Sequence, residues 1–178
     1  PCTLLSKARA GSAATPGGVA GALDTVRWCL QLVLDRGDAS WSLEEVSTPA
    51  VVACVAEFAR EYPTRVAYML VDAADYSTAS NRVRVIASTP AVIRKLQEMP
   101  VDRVSVADAL SAAGLTPPAD FFKSNTNARG GGPSVRSVQQ QAFTITASHP
   151  LIWCDRSGVT VRCFTVVEST VLMGFPSG

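Results

Sequence analysis

Apolar residues at Val19, Ala22, Leu23, Val26, Leu30 and Val33 recur at helical spacing, and Gly37 closes the helix they predict. Trp41 to Val46 is strand-like and runs into a second helix, with Thr48 as its N-cap and Pro49 at the first helical position. Val51, Val52, Val55 and Phe58 form the buried stripe of that helix, and Pro63 stops it. Arg65 to Val71 and Val83 to Ala87 are apolar enough for strands, joined by the small, polar segment Asp75 to Arg82. Thr89-Pro90 opens a third helix carrying Val92, Ile93 and Leu96, and Ser105 to Asp108 is a capping box for a short one that ends at Gly114. From Thr116 to Gln141 the pattern gives way to Pro, Gly, Ser and Asn, which predicts a long loop or insert. Phe143 to Thr146 alternates as a strand does, and Thr165 to Glu168 is a second capping box, opening a helix that ends at Gly174. Helices alternating with apolar strands over the first hundred residues argue an α/β sheet with a partly parallel core, followed by a more irregular and basic insert.

At 178 residues, 47% apolar and 17% charged, the chain has the length of about one domain and the composition of a globular protein. No apolar run approaches the roughly 18 residues needed to cross a bilayer, and the start lacks the layout of a signal peptide. The expectation is therefore an intracellular protein with no membrane partner, in a prokaryotic cytoplasm or a eukaryotic or virus-host nucleus. The chain opens on Pro1, not Met, which is expected of a piece of a longer product or of a processed chain. Its five cysteines, at 2, 29, 54, 154 and 163, have no C-x-x-C spacing and a single histidine, His149, for company. Neither a zinc site nor a disulfide framework is expected. Nothing in the sequence brings His149 to Cys2 as a Cys-His hydrolase requires. The net charge of +1 says little, but between Phe121 and Cys163 the basic residues Lys123, Arg129, Arg136, Arg156 and Arg162 face one acid, Asp155. A polyanion-facing surface and a solvated loop both fit that excess.

Cys2, in the turn-forming pair Pro1-Cys2, is the candidate nucleophile, because a thiolate outperforms any hydroxyl in that role. A small buried hydrophobe is the plainer reading of a cysteine taken alone. Three further stretches change the weighing. Leu43-Glu44-Glu45-Val46 ends the first strand, the segment from Ala73-Ala74-Asp75-Tyr76 to Ser80-Asn81-Arg82-Val83-Arg84-Val85 enters the third, and Arg162 to Pro176 contains Thr165, Glu168, Leu172, Gly174 and Phe175.

In this order the four stretches resemble the DNA (cytosine-5) methyltransferases: P-C-Q/T, L-E-N-V, A-A-D-Y-G-V-P-Q-x-R-x-R-V and R-x-L-T-x-x-E-x-x-x-L-Q-G-F-P. Phe143 to Ala147 also resembles the family's T-I-T-A segment. The resemblance implies a partial S-adenosylmethionine-dependent methyltransferase sheet, Rossmann-like, with a small irregular target-recognition insert. Residues 1–100 would be catalytic, 101–160 target-recognising, and 161–178 a return to the catalytic part. It implies that Cys2 adds to C6 of a flipped cytosine, that Glu44 serves N3 and that Arg84 holds O2. Ser80, Arg82, Lys123, Arg129 and Arg136 become candidate DNA contacts, to phosphate as readily as to bases. Glu45 stands where the family has Asn, Ser80 where it has Gln, and Ser77-Thr78-Ala79 where it has Gly-Val-Pro. The family's Gly-rich cofactor turn lies upstream of the nucleophile loop, and Gly130-Gly131-Gly132, with no strand before it and no helix after, does not replace it. The cofactor site is accordingly expected in an upstream segment or a partner chain. The alternative is a catalytically degenerate homologue that binds DNA or a protein partner.

Overall fold

The computed structural model describes residues 18–37, 40–124, 134–145 and 150–175. These fall into two compact units, one within Pro1–Val71 and Val83–Met99, the other within Asp72–Arg82 and Pro100–Gly178. The architecture is mixed α/β, with two small antiparallel sheets.

The first unit holds α1 (Gly18–Arg36), β1 (Ser42–Val46), α2 (Pro49–Glu61), β2 (Ala67–Asp72), β3 (Val83–Ser88) and α3 (Pro90–Gln97). Thr48 caps α2 by accepting from the Val51 amide, and Pro49 fills the first turn, where a missing N–H costs nothing. The core joins the stripe of α1 (Val26, Leu30) to that of α2 (Val51, Cys54, Val55) and to Val85 and Ala87 of β3. Each of these Val and Leu side chains contributes about 1.5–3 kcal/mol by leaving water.

The partly parallel core expected for this unit is not found among the described residues. The strand order is β1-β3-β2, and β3 runs antiparallel to β1, placing Glu44 opposite Ile86 and Val46 opposite Arg84. The chain leaves β2, turns through a short 3₁₀ segment at Ala73–Asp75 and comes back as β3 between β1 and β2. That return denies β1 and β2 a direct ladder, although α2 joins them as a crossover helix would.

The second unit holds α4 (Val106–Ala112), β4 (Phe121–Ser124), β5 (Val135–Ser137), β6 (Leu151–Cys154), β7 (Thr160–Cys163) and α5 (Val166–Leu172). The sheet order is β5-β4-β6-β7, antiparallel throughout. Its core is aromatic: Trp153 stacks on Phe164 at 4.0 Å, and Phe122 meets Phe143, Trp153 and Phe164 edge-on. Leu110 of α4 and Leu172 of α5 close it. β7 and α5 belong to this unit.

Two local expectations are corrected here. Thr116 to Gln141 is not loop throughout, because β4 and β5 form within it, held by the ladder to β6 and by the buried Phe122. Among the described residues Phe143 to Ile145 forms no ladder; the preceding Ala142 makes one isolated bridge to Ser80, and Thr146 lies outside the described residues. The box at Thr165 is complete, with Thr165 accepting from the Glu168 amide and Glu168 accepting from the Thr165 amide. At Ser105 only half of it forms, since Asp108 takes a bond from the Ser105 hydroxyl and none from its backbone.

Candidate functional site

Strand alternation sorts the residues of β1. Glu44 and Arg84 lie on one face of the β1–β3 ladder, diagonal to each other, and the Arg84 Nε sits 3.3 Å from Glu44 Oε1. Arg84 also donates from Nη1 to the Val83 carbonyl at 2.9 Å, which orients the guanidinium along the strand. Half of the Glu44 side chain and a quarter of the Arg84 side chain remain exposed, so the pair is within reach of a ligand. Glu45 points the other way, onto the face of its ladder partner Val85, and is only 7% exposed. Its Oε2 has no hydrogen-bond partner among the described residues, and neither has the Trp41 indole N–H. The neighbouring carboxylates that the sequence sets side by side are therefore separated by the sheet.

The segment from Asp72 to Arg82 is a closed loop built on the Asp72 carboxylate. Oδ1 accepts from the amides of Ala74 at 3.1 Å and Arg82 at 2.7 Å, and Oδ2 accepts from the Asn81 side-chain amide at 3.0 Å. Burial alone would raise the Asp72 carboxyl; the bonds from Arg82, Asn81 and Ala74, with the Arg103 charge, outweigh it and hold it below the usual carboxylate range. Arg82 sits at the end of this loop, exposed, one residue before β3 begins, so it is not part of the strand that carries Arg84. Ser80 is 4% exposed and bridged to Ala142.

The remaining predicted contacts are spread through the second unit. Arg136 donates from Nη1 to Asn81 Oδ1 at 2.8 Å and to the Gln141 carbonyl at 2.7 Å, and its guanidinium lies 3.8 Å above the Phe143 ring. Lys123 donates to the Gly158 carbonyl at 2.6 Å, tying β4 to the β6–β7 turn. Cys2, Arg129, Gly130-Gly131-Gly132 and His149 lie outside the described residues. The structure thus brings Glu44 to Arg84, and Ser80 and Arg82 into one loop with Arg136 behind it.

Sequence reasoning missed Asp72, Asn81 and Gln141, which build that loop. A signal was available for two of them: an Asp at a strand end, then an Asn where the chain re-enters a strand, are the residue types that bond nearby backbone. Among the described residues no three His, Cys, Asp or Glu side chains gather as metal ligands do, and Cys29, Cys54, Cys154 and Cys163 are free thiols. Burial pushes the Cys54 and Cys154 thiols up, away from the reactive thiolate.

No protein-family model matches the chain, and no curated protein matches it.

Proposed function

We propose that this chain is the catalytic and target-recognition part of a DNA cytosine-5 methyltransferase. The observation that carries the reading is the pairing of Glu44 with Arg84 at 3.3 Å on adjacent strands. Cytosine N3 and O2 are neighbours on one edge of the ring, and a protein that activates C6 must serve both at once. A carboxyl group and a guanidinium held side by side on one sheet face have the chemistry for that edge. The ordered run of Pro1-Cys2, Leu43 to Val46, Ala73 to Val85 and Arg162 to Pro176 supplies the independent support.

In this mechanism the base leaves the helical stack and Arg84 takes O2. Glu44 passes a proton taken from solvent on to N3, drawing electrons from C6 as the Cys2 thiolate adds there. The electron pair displaced from the C5–C6 double bond makes C5 enamine-like. Once C5 has taken an electrophile, loss of its original proton restores the double bond and expels the thiolate. The pair's ground-state contact has a purpose here, since Arg84 holds the Glu44 carboxylate in place before the base arrives.

S-adenosylmethionine does not fit the described residues. It needs a glycine turn between a strand and a following helix. Gly37, Gly114 and Gly174 instead follow helices, Gly158 lies between β6 and β7, and Gly18 and Gly21 open α1 with no strand before it among the described residues. The methyl donor is therefore assigned to a segment or partner chain beyond these residues. The same misfit favours, as a second reading, a homologue that binds DNA without catalysis.

One experiment separates the two readings without the donor. Reversible addition at C6 lets the C5 hydrogen exchange with solvent, so a cytosine-containing DNA in deuterated water should lose its C5 proton signal in the presence of the chain. The exchange should vanish in Cys2→Ser and fall at least about 100-fold in Glu44→Gln, the scale of a lost acid. DNA binding without any exchange would leave the binding module; neither would end both readings.

A further inference from the structure

We infer that Arg136 is a positioning residue, which holds the Ser80–Arg82 strip through Asn81 and does not itself bind phosphate. The relay is continuous: Arg136 Nη1 to Asn81 Oδ1 at 2.8 Å, Asn81 Nδ2 to Asp72 Oδ2 at 3.0 Å, and Asp72 Oδ1 to the Arg82 amide at 2.7 Å. The same strip is seated on residues 141–144. The Asn81 amide donates to the Ala142 carbonyl at 2.9 Å, the Ala142 amide to the Ala79 carbonyl at 2.6 Å, and the Thr144 hydroxyl to the Asn81 carbonyl at 2.6 Å. Gln141, whose carbonyl Arg136 also takes, returns a bond from its side chain to the Ala74 carbonyl at 3.3 Å.

Arg136 is half-buried, with Phe143 under its plane at 3.8 Å. Burial draws its guanidinium below the ordinary value, and the Asp72 charge offsets part of that, as for a cation serving an internal carboxylate network. A planar donor fork that bonds two oxygens while stacked on an aromatic ring fixes angles as well as distances, which a lysine does not. Asn81 is the hinge of the relay, because its amide alone can accept from Arg136 and donate to Asp72 at once. The consequence for recognition is indirect: the insert places Arg82, whatever else it touches.

The DNA arm of this inference rests on the methyltransferase reading; the structural arm does not. The test compares wild type, Arg136→Gln and Arg82→Gln by amide hydrogen exchange and by duplex-DNA affinity across a salt series. Arg136→Gln should speed exchange at the Ala74 and Arg82 amides about tenfold, the size of one lost charged hydrogen bond. It should weaken DNA binding while keeping the wild-type salt slope. Arg82→Gln should flatten that slope by about one and leave the exchange of both amides as it is. Unchanged exchange in Arg136→Gln, or a slope flattened by about one in that variant, overturns the inference. A wild type that binds no DNA overturns the methyltransferase reading alone, and the exchange rates then decide on Arg136. Should Arg136→Gln fail to fold, Asn81→Ala cuts the same relay at its middle and carries the same comparison.

Discussion

Glu168 shows how far one side chain's surroundings can move its chemistry. Burial alone would push its carboxyl up, but bonds from Arg162, from the amide and hydroxyl of Thr165 and from the Trp153 indole hold it at about 2. A carboxyl depressed from 4.5 to about 2 adds stability that is complete above its unfolded value and is lost as pH falls through its folded one. The amount is on the order of 3 kcal/mol. Acid titration followed by near-ultraviolet circular dichroism should show the second unit losing stability between about pH 4.5 and pH 2, and Glu168→Gln should make that dependence shallower, leaving the share of the lowered Asp72 carboxyl. Glu45 is a buried acid whose Oε2 has no partner among the described residues. Replacing it by Met should leave stability unchanged or raise it by about 1 kcal/mol, measured by urea unfolding. Glu44→Gln, at a half-exposed pair, should cost under about 1 kcal/mol in the same measurement while abolishing most C5 exchange. That contrast separates a residue kept for chemistry from one kept for packing.

At the scale of elements, what was legible depended on length. α1 and α2 run long enough for their periodicity to declare itself, and Val26, Leu30, Val51 and Val55 are buried as their spacing predicts. Leu30→Ala should therefore cost about 2–5 kcal/mol in urea unfolding. The three- and four-residue strands of the second unit gave no such signal. β6 is apolar and buried at every position, so it shows no alternation, and β4 needs its ladder to β6 to exist at all. Phe143 misled in the other direction, because its alternating neighbourhood serves to seat the Asp72–Arg82 loop and the Arg136 guanidinium and, among the described residues, pairs with no strand. The caps were legible as sequence, yet only Thr165 closes its box fully, since the shorter Asp108 side chain turns to the Ser105 hydroxyl instead.

For the molecule as a whole, the Glu44–Arg84 pair was legible as two separate residues and as a resemblance. Their adjacency was not, because it depends on β3 returning beside β1, a long-range choice that no local pattern encodes. The same holds for Arg136, whose partner Asn81 stands 55 residues away along the chain. The path between the units adds a consequence of another kind. The chain enters the second unit at Asp72, leaves it after Arg82 and returns to it at Pro100. During synthesis, the Asp72–Arg82 loop therefore emerges well before residues 134–145, on which it is seated, and must wait for them. A ribosome paused between the two would carry a first unit able to fold around its own core and a loop without its seat, so folding of the second unit should begin only when Gln141 to Thr144 have been made.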